Sequence, residues 1–352
     1  MTSVKVSAEC FLQLSLNIPV CDVRSPSEYA SGHIPGAVNI PIFSDKERES
    51  VGIKYKKEGS LAAIKTGIDL AGPQMSQKLT NALELAREKQ LLVHCWRGGM
   101  RSEAMAWLFS LAGLNVSVLE GGYKAYRHFI LEKLNQRRNI IILGGLTGSS
   151  KTHILNHLKT ADQQVIDLEG LANHKGSAFG ALGQIAQPTT EYFANILYDS
   201  WSKTDPLRPV WLEDESRNIG TVFMPEEFYN NMQKSPAIIL IMDVKTRLPR
   251  LLREYTLFPK EDLIASVMRI SKRLGGDNTK EAISAIESDN FAKAIEITLT
   301  YYDKAYLFGL NRKSSEEIIY VETQTDDIEE NAERVLEASK KIKWQSASIG
   351  GF

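Results

Sequence analysis

A thiol flanked by two arginines and a pair of glycines stands out in the run Leu91-Leu92-Val93-His94-Cys95-Trp96-Arg97-Gly98-Gly99-Met100-Arg101-Ser102. Leu91 to Val93 read as the end of a buried strand. Ser102-Glu103 followed by Ala104 to Phe109 reads as a helix start, closed by Gly113. Cys95 therefore falls in a strand-to-helix loop. Backbone amides of such a loop, with the positive end of the helix, surround an anion. The same field lowers a thiol pKa, and the thiolate is the nucleophile. Arg97 and Arg101 add fixed positive charge, Gly98 and Gly99 let the backbone curl, and Ser102 adds a hydroxyl. An inert buried cysteine needs none of this.

A second anion loop follows a second strand. Asn139-Ile140-Ile141-Ile142-Leu143 runs into Gly144-Gly145-Leu146-Thr147-Gly148-Ser149-Ser150-Lys151-Thr152 and then a helical stretch from His153. Strand, glycine-rich loop, helix is the order that cradles phosphates. Gly145, Thr147, Gly148, Ser149, Ser150, Lys151 and Thr152 are the expected diphosphate-binding residues. Lys151 would reach the terminal phosphates, and Thr152 is placed to hold Mg²⁺ if one is used. Ser150 stands where glycine is expected before the lysine. A Cβ at that point bears on nucleotide turnover more than on phosphate binding.

The elements that must position these loops read as alternating strands and helices, which implies parallel sheets covered on both faces. Strands ending in acids recur at Gln164 to Asp167, Pro209 to Asp214 and Ala237 to Asp243. Carboxylates at the carboxyl ends of parallel strands point into a ligand crevice. Glu213 or Asp214 is the expected metal-side acid, Asp167 the next candidate, and Asp243 a structural residue. Arg217, Arg247, Arg250 and Arg273 are candidate contacts to phosphate or an RNA backbone. Residues 41–73 read as a charged, solvated helical excursion. Ile283, Ile286, Phe291, Ile295, Tyr301, Tyr302 and Tyr306 fall at helical spacing and read as core.

Length and composition bound the rest. A chain of 352 residues predicts two domains. Lys+Arg 42 against Asp+Glu 43 demands no polyanionic partner, though a local basic patch is allowed. Cys10, Cys21 and Cys95 make neither a disulfide framework nor a zinc pattern. The first residues hold no apolar leader, and no apolar run approaches the ~18 residues of a spanning helix. A cytoplasmic protein without membrane contact is expected. No Pro/Gly/Ser linker follows the helix over 123–138, so closely docked domains are expected.

Three resemblances sharpen this reading. Asp22-Val23-Arg24, Glu28-Tyr29, Gly32-His33-Ile34-Pro35-Gly36-Ala37, Asn39-Ile40-Pro41 and Leu119-Glu120-Gly121-Gly122-Tyr123 resemble the signature of rhodanese domains, in which Asp22 and His33 would be scaffold. The spacing of Cys95 and Arg101 is one residue wider than in the usual thiosulfate-using loop. His-Cys-x5-Arg-Ser also resembles the loop of rhodanese-fold phosphatases, although residues 96–100 carry no carboxylate to act as general acid. A phosphatase fused to a small-molecule kinase-like domain is thus the alternative reading, and a non-catalytic anion-sensing module a further one. The whole chain, with Asp167 to Gly180 and Glu213 to Gly220 as its specific segments, resembles the tRNA 2-selenouridine synthases.

That resemblance implies an α/β architecture: a rhodanese-like parallel-sheet domain over residues 1–135, then a P-loop NTPase-like parallel-sheet domain over 136–352 with a helical C-terminal part. It implies a transferase with tRNA as partner, selenophosphate and geranyl diphosphate as co-substrates, no tightly bound cofactor, and transient contact with a selenophosphate-making enzyme. S-geranylation of wobble 2-thiouridine would turn sulfur into a leaving group that selenium displaces. Cys95 would carry a selenium adduct, Arg97 and Arg101 would hold the phosphate of selenophosphate, and Gly145 to Thr152 would hold the diphosphate.

Overall fold

The computed structural model describes residues 4–311, 313 and 317–344. The chain forms two compact units, residues 1–133 with 194–199, and residues 134–193 with 200–352. Each contains a five-stranded sheet, and every strand pairing in these two sheets is parallel. The α/β parallel-sheet class expected from the alternation of strands and helices is the one observed.

In the first unit the strands are β1 (Val4–Val6), β2 (Val20–Asp22), β3 (Val38–Asn39), β4 (Gln90–His94) and β5 (Asn115–Leu119), in the order β1-β5-β4-β2-β3. The helices are α1 (Ala8–Ser15), α2 (Pro26–Ser31), α3 (Asp45–Glu58), α4 (Ser60–Ala71), α5 (Met75–Leu85), α6 (Met100–Leu111) and α7 (Gly122–Asn135). β4 is central because Leu91, Leu92 and Val93 can all be buried: Leu91 and Val93 join Phe109 and Val116 in one core layer, Leu92 joins Phe11 and Tyr123 in the other. Centrality puts the end of β4, and so Cys95, in the middle of the carboxyl edge of the sheet.

The charged excursion after Pro41 is a pair of helices. Ser44 and Glu47 cap α3 reciprocally, Ser44 N to Glu47 Oε2 at 2.7 Å and Glu47 N to Ser44 Oγ at 3.4 Å. α3 buries no residue fully, as its charge predicts, while α4 buries Ala63, Gly67 and Ala71. α3 is also tied back toward α2, since the Asp45 carboxylate accepts from Ser27 N at 2.9 Å and Ser27 Oγ at 2.6 Å.

In the second unit β6 (Ile140–Gly145) is the middle strand, in the order β12-β11-β6-β8-β7, with β7 (Gln164–Val165), β8 (Val210–Glu213), β11 (Ala237–Met242) and β12 (Ile318–Thr323). β9 (Asn218–Ile219) and β10 (Val222–Phe223) form a small antiparallel pair. The helices are α8 (Lys151–Thr160), α9 (Leu168–Ala172), α10 (Thr190–Ser202, whose residues 194–199 belong to the first unit), α11 (Glu226–Lys234), α12 (Val244–Tyr255), α13 (Lys260–Arg269), α14 (Ser271–Leu274), α15 (Gly276–Glu287), α16 (Phe291–Leu310) and α17 (Ile328–Ser339). Ile141, Leu143, Trp211, Ile238 and Leu240 pack under α8 and α17. A separate helical core joins Phe179, Leu263, Val267, Leu274, Ile286 and Ile297. The glycine-rich loop therefore leaves the centre of its sheet, as the cysteine loop does in the first unit.

No helix among the described residues is long and apolar enough to cross a membrane.

Candidate functional site

Cys95 follows β4 directly and is 3 % exposed. Its Sγ lies 3.2 Å from Ser102 Oγ, and Ser102 Oγ donates to Gly99 O at 3.0 Å. Cys95 Sγ is also 4.0 Å from Gly99 O, so thiol and hydroxyl share that acceptor and either can donate to the other; a thiolate would take the Ser102 hydroxyl proton as its hydrogen bond. The curl of the loop is fixed by the turn after β5: Tyr123 N donates to Cys95 O at 2.8 Å and Lys124 N to Trp96 O at 3.0 Å. Gly98 is required, because its φ is +65° and a Cβ would fall 2.5 Å from Leu119 O. Gly99 has φ −105° and open space around it, so only one glycine of the pair is needed for shape.

The two arginines of the loop differ. Arg97 is exposed. Arg101 is held by Glu28 of α2, Nη1 to Oε2 at 2.6 Å and Nη2 to Oε1 at 3.3 Å. Burial pushes the Glu28 carboxyl up, but the Arg101 guanidinium outweighs it and holds it below the usual range.

Behind the loop is a buried frame. Arg24 Nη2 pairs with Asp22 Oδ2 at 2.6 Å, donates to Gly32 O at 2.6 Å, and its guanidinium lies 3.8 Å over the Tyr123 ring. Asp22 and Arg24 are both fully buried, so they act as scaffold. His33 stacks on Tyr29 with centroids 3.8 Å apart and is likewise placed by the fold. His94, fully buried just before Cys95, has Nε2 3.6 Å from Asp22 Oδ2. Burial pushes His94 below its ordinary value, with Asp22 opposing. A depressed folded pKa means the unfolded chain takes the proton first. Stability is therefore complete above the unfolded value of about 6.5 and falls as pH drops toward the folded value. Denaturant titrations of the full chain at a series of pH values should show the first unit losing up to about 1.4 kcal/mol per pH unit below pH ~6.5 from this residue, and His94→Gln should flatten that slope.

In the second unit the glycine-rich loop is shaped as a phosphate cradle. Gly145 has φ +154°, and a Cβ would meet Ser149 Oγ at 2.6 Å and Leu240 O at 2.9 Å. Gly148 lies against Leu251, and Thr147 O accepts from Arg247 Nη1 at 2.8 Å. Ser150 has φ +65°, the left-handed backbone a glycine would adopt, so the loop keeps its shape at a cost of about 1 kcal/mol. Ser149 and Ser150 hydroxyls are buried with no hydrogen-bond partner among the described residues. Lys151 Nζ donates to Gly145 O at 2.9 Å, and Thr152 Oγ1 donates to Glu169 Oε2 at 3.0 Å.

The acids are sorted by the fold. Glu213 is fully buried, its Oε2 accepting from Leu168 N at 2.9 Å; burial and Asp167 push it well above the usual carboxyl range. Asp167 caps α9, accepting from Gly170 N at 2.6 Å. Asp214 is paired with Lys313 at 2.5 Å and accepts from Tyr306 Oη at 3.0 Å. Tyr306 Oη in turn accepts from Gly145 N at 2.9 Å. Tyr306, which periodicity assigns to core, is thus a prop of the glycine-rich loop.

Two acids that the sequence reading did not single out, Glu169 and Glu215, interact with Thr152 and Lys151 respectively. A Cβ on Gly176 would be 2.6 Å from Glu215 Oε1 and 2.9 Å from Glu169 Oε1, which places the two carboxylates side by side. Burial and Glu169 push Glu215 well above the usual range, Lys151 pulling the other way. The available signal was their parity: Glu169 and Glu215 each stand two residues beyond a candidate acid, Asp167 and Glu213. Among the described residues no group of three or more His, Cys, Asp or Glu forms a metal cage.

The basic candidates are dispersed. Arg247 is 1 % exposed and paired with Asp303 at 2.6 Å, so it braces the loop through Thr147. Arg250 donates to Asp326 O at 3.3 Å. Burial, with Arg250 next, pushes down His153 in the first turn of α8. Arg217 is exposed and 3.3 Å from Glu226, and Arg273 is exposed with Nη1 3.3 Å from Tyr301 Oη.

Comparison with known families adds a separate line of evidence. Residues 138–338 match the family described as tRNA 2-selenouridine synthase AAA domain, and residues 7–128 match the rhodanese-like domain family. The tRNA 2-selenouridine synthase of Shewanella frigidimarina is 33% identical over 360 residues, covering 92% of this chain and 97% of that protein. The protein of the same name from Pseudomonas putida is 34% identical over 336 residues, covering 85% and 90%. That from Sulfurovum sp. is 33% identical over 335 residues, covering 85% and 90%.

Proposed function

The chain belongs to the tRNA 2-selenouridine synthase family, and from that premise we propose that it replaces the sulfur of 2-thiouridine at the tRNA wobble position by selenium, in two steps served by two anion loops. The carrying observation is that one chain of this family holds both a thiol loop and a Lys-Thr phosphate loop, each at the end of a central parallel strand.

In the first step, geranyl diphosphate sits in the loop from Gly145 to Thr152. Lys151 would leave Gly145 O for the diphosphate, and the buried Ser149 and Ser150 hydroxyls would donate to its oxygens. The thiocarbonyl sulfur forms a bond to the first carbon of the geranyl chain, the carbon–oxygen bond breaks, diphosphate leaves, and the base gives up its N3 proton. The oxygen donors Thr152 and Glu169 fit a hard cation, and Mg²⁺ held there would neutralise the departing diphosphate.

In the second step, selenophosphate sits in the Cys95 loop. A sulfur–selenium bond on Cys95 would be a two-electron oxidation, and the reaction supplies no oxidant. The balanced step has the thiolate attack phosphorus: a sulfur–phosphorus bond forms, the phosphorus–selenium bond breaks, and selenide leaves with the electron pair. Selenide needs no proton to leave, which is consistent with residues 96–100 lacking a carboxylate. Selenide then adds to the base carbon and the geranyl thiolate departs; water releases the phosphate from Cys95.

The test is nucleoside mass spectrometry on tRNA bearing 2-thiouridine, incubated with the full chain. With geranyl diphosphate alone, the thiouridine should gain a geranyl group; with selenophosphate added, it should become selenouridine. No mass change under either condition would overturn the reading, and phosphate release from an aryl phosphate in its place would point to the phosphatase–kinase fusion.

A further inference from the structure

The Glu28 carboxylate is shared more widely than an ordinary ion pair. It accepts from Ser25 N at 3.0 Å, at the start of its own helix, which anchors it. It takes both ends of the Arg101 fork, at 2.6 and 3.3 Å. A second guanidinium waits beside it: Arg48 Nε of α3 is 3.9 Å from Glu28 Oε2. That Nε is buried and has no hydrogen-bond partner among the described residues. The Arg48 side chain as a whole is 40% exposed, so its charge is solvated, but its shielded Nε–H still lacks an acceptor, and the nearby one is the carboxylate that Arg101 now holds.

A tetrahedral oxyanion in the Cys95 loop competes for the same Arg101 fork. Two parallel N–H groups prefer two oxygens on one centre, whether of a carboxylate or of a phosphate. If Glu28 stayed in place, the incoming anion would share its cation with a second negative charge. Arg48 Nε is 3.9 Å from the same Oε2 that Ser25 N and Arg101 Nη1 hold, so a shift of about 1 Å would bring the pair to a hydrogen-bond length of about 2.9 Å.

We propose that Glu28 is an exchangeable counterion and a positioning residue: it clamps Arg101 while the loop is empty and passes to Arg48 when a phosphate-like dianion takes the Arg101 fork. The inference rests on the reading of the Cys95 loop as an anion site. It gives the loop a threshold, since a ligand must offer Arg101 two oxygens at once to displace Glu28. It also gives the α3 insertion a role at the site, because Arg48 is the residue that completes the exchange.

The probe is inorganic phosphate, read as protection of Cys95 from iodoacetamide in the full chain, with the Cys95 peptide quantified by mass spectrometry. Glu28→Gln keeps an acceptor for Ser25 N and removes the charge, and should tighten phosphate binding about tenfold. Arg48→Met should weaken it about threefold in the natural chain and have no effect in the Glu28→Gln background. Weaker phosphate binding in Glu28→Gln would mean that Glu28 only props Arg101, and an equal Arg48→Met effect in both backgrounds would mean no exchange; either overturns the proposal. Absence of phosphate protection in the natural chain and in Glu28→Gln alike would instead overturn the anion-site reading beneath it.

Discussion

Replacing Cys95 by alanine is expected to abolish selenium incorporation while S-geranylation of thiouridine continues at its ordinary rate. The thiolate is the protein nucleophile that frees selenide in the second step, and loss of such a group removes about 10³-fold or more of the rate. The geranyl transfer uses residues of the other unit, so it has no reason to fall. The substitution is mild structurally: Cys95 is buried between β4 and α6, alanine fits that space, and the curl of the loop is set by Gly98 and by the Tyr123 and Lys124 amides. The measurement is the ratio of geranylated to selenated nucleoside after incubation with both co-substrates. Geranylated nucleoside should accumulate. If both products vanish from a folded Cys95→Ala protein, the thiol takes part in alkylation and the division of labour between the loops is wrong.

The reciprocal result is expected of Lys151→Ala. Geranylation should fall about 10²–10³-fold, because a single preorganised cation facing a leaving diphosphate accounts for an effect of that size. Selenation of plain thiouridine RNA should fall with it, since its substrate is no longer made. Supplied with RNA that is already S-geranylated, the variant should selenate normally. That rescue separates loss of the first step from general damage. Among the described residues Lys151 hydrogen-bonds to Gly145 O and otherwise acts through its charge on Glu215, and the shape of the loop is set by Gly145, Gly148 and the Arg247 brace, so the fold should survive. Undiminished geranylation would remove the phosphate loop from the mechanism.

Both loops could be read from the sequence because each is local. A buried apolar run, a glycine-rich turn and a helix start lie within about a dozen residues, and local spacing decides their shape. Ser150 shows the same point from the other side, since the surrounding loop holds a non-glycine residue in the left-handed region. Counter-charges were not legible, because they arrive from far along the chain. Nothing near Arg101 in sequence announces Glu28, nothing near Asp214 announces Lys313, and nothing near Arg247 announces Asp303. Strand ends gave Glu213 and Asp214 as the prominent acids. Alternation along β8 turns Glu213 inward to Leu168 N, and the pair beside Lys151 and Thr152 is Glu169 and Glu215. Helical periodicity assigned Tyr306 to the core by its ring, but says nothing of a hydroxyl that finds Gly145 N.

The all-parallel sheet of the first unit has a consequence for how the chain reaches its reduced, active form. Its ladders join distant segments: Val4 pairs with Ser117, and Cys21 pairs with Val93. No hairpin can start such a sheet, so loop-closure entropy is met before most contacts form, and this topology is slow to assemble. Through that interval Cys21 and Cys95, both buried at the end, are open thiols in a chain with three free cysteines. A disulfide between them formed early would be sealed in or would block the sheet. The reducing agent therefore matters during synthesis or refolding, and adding it to the finished protein comes too late to recover the chains already misjoined.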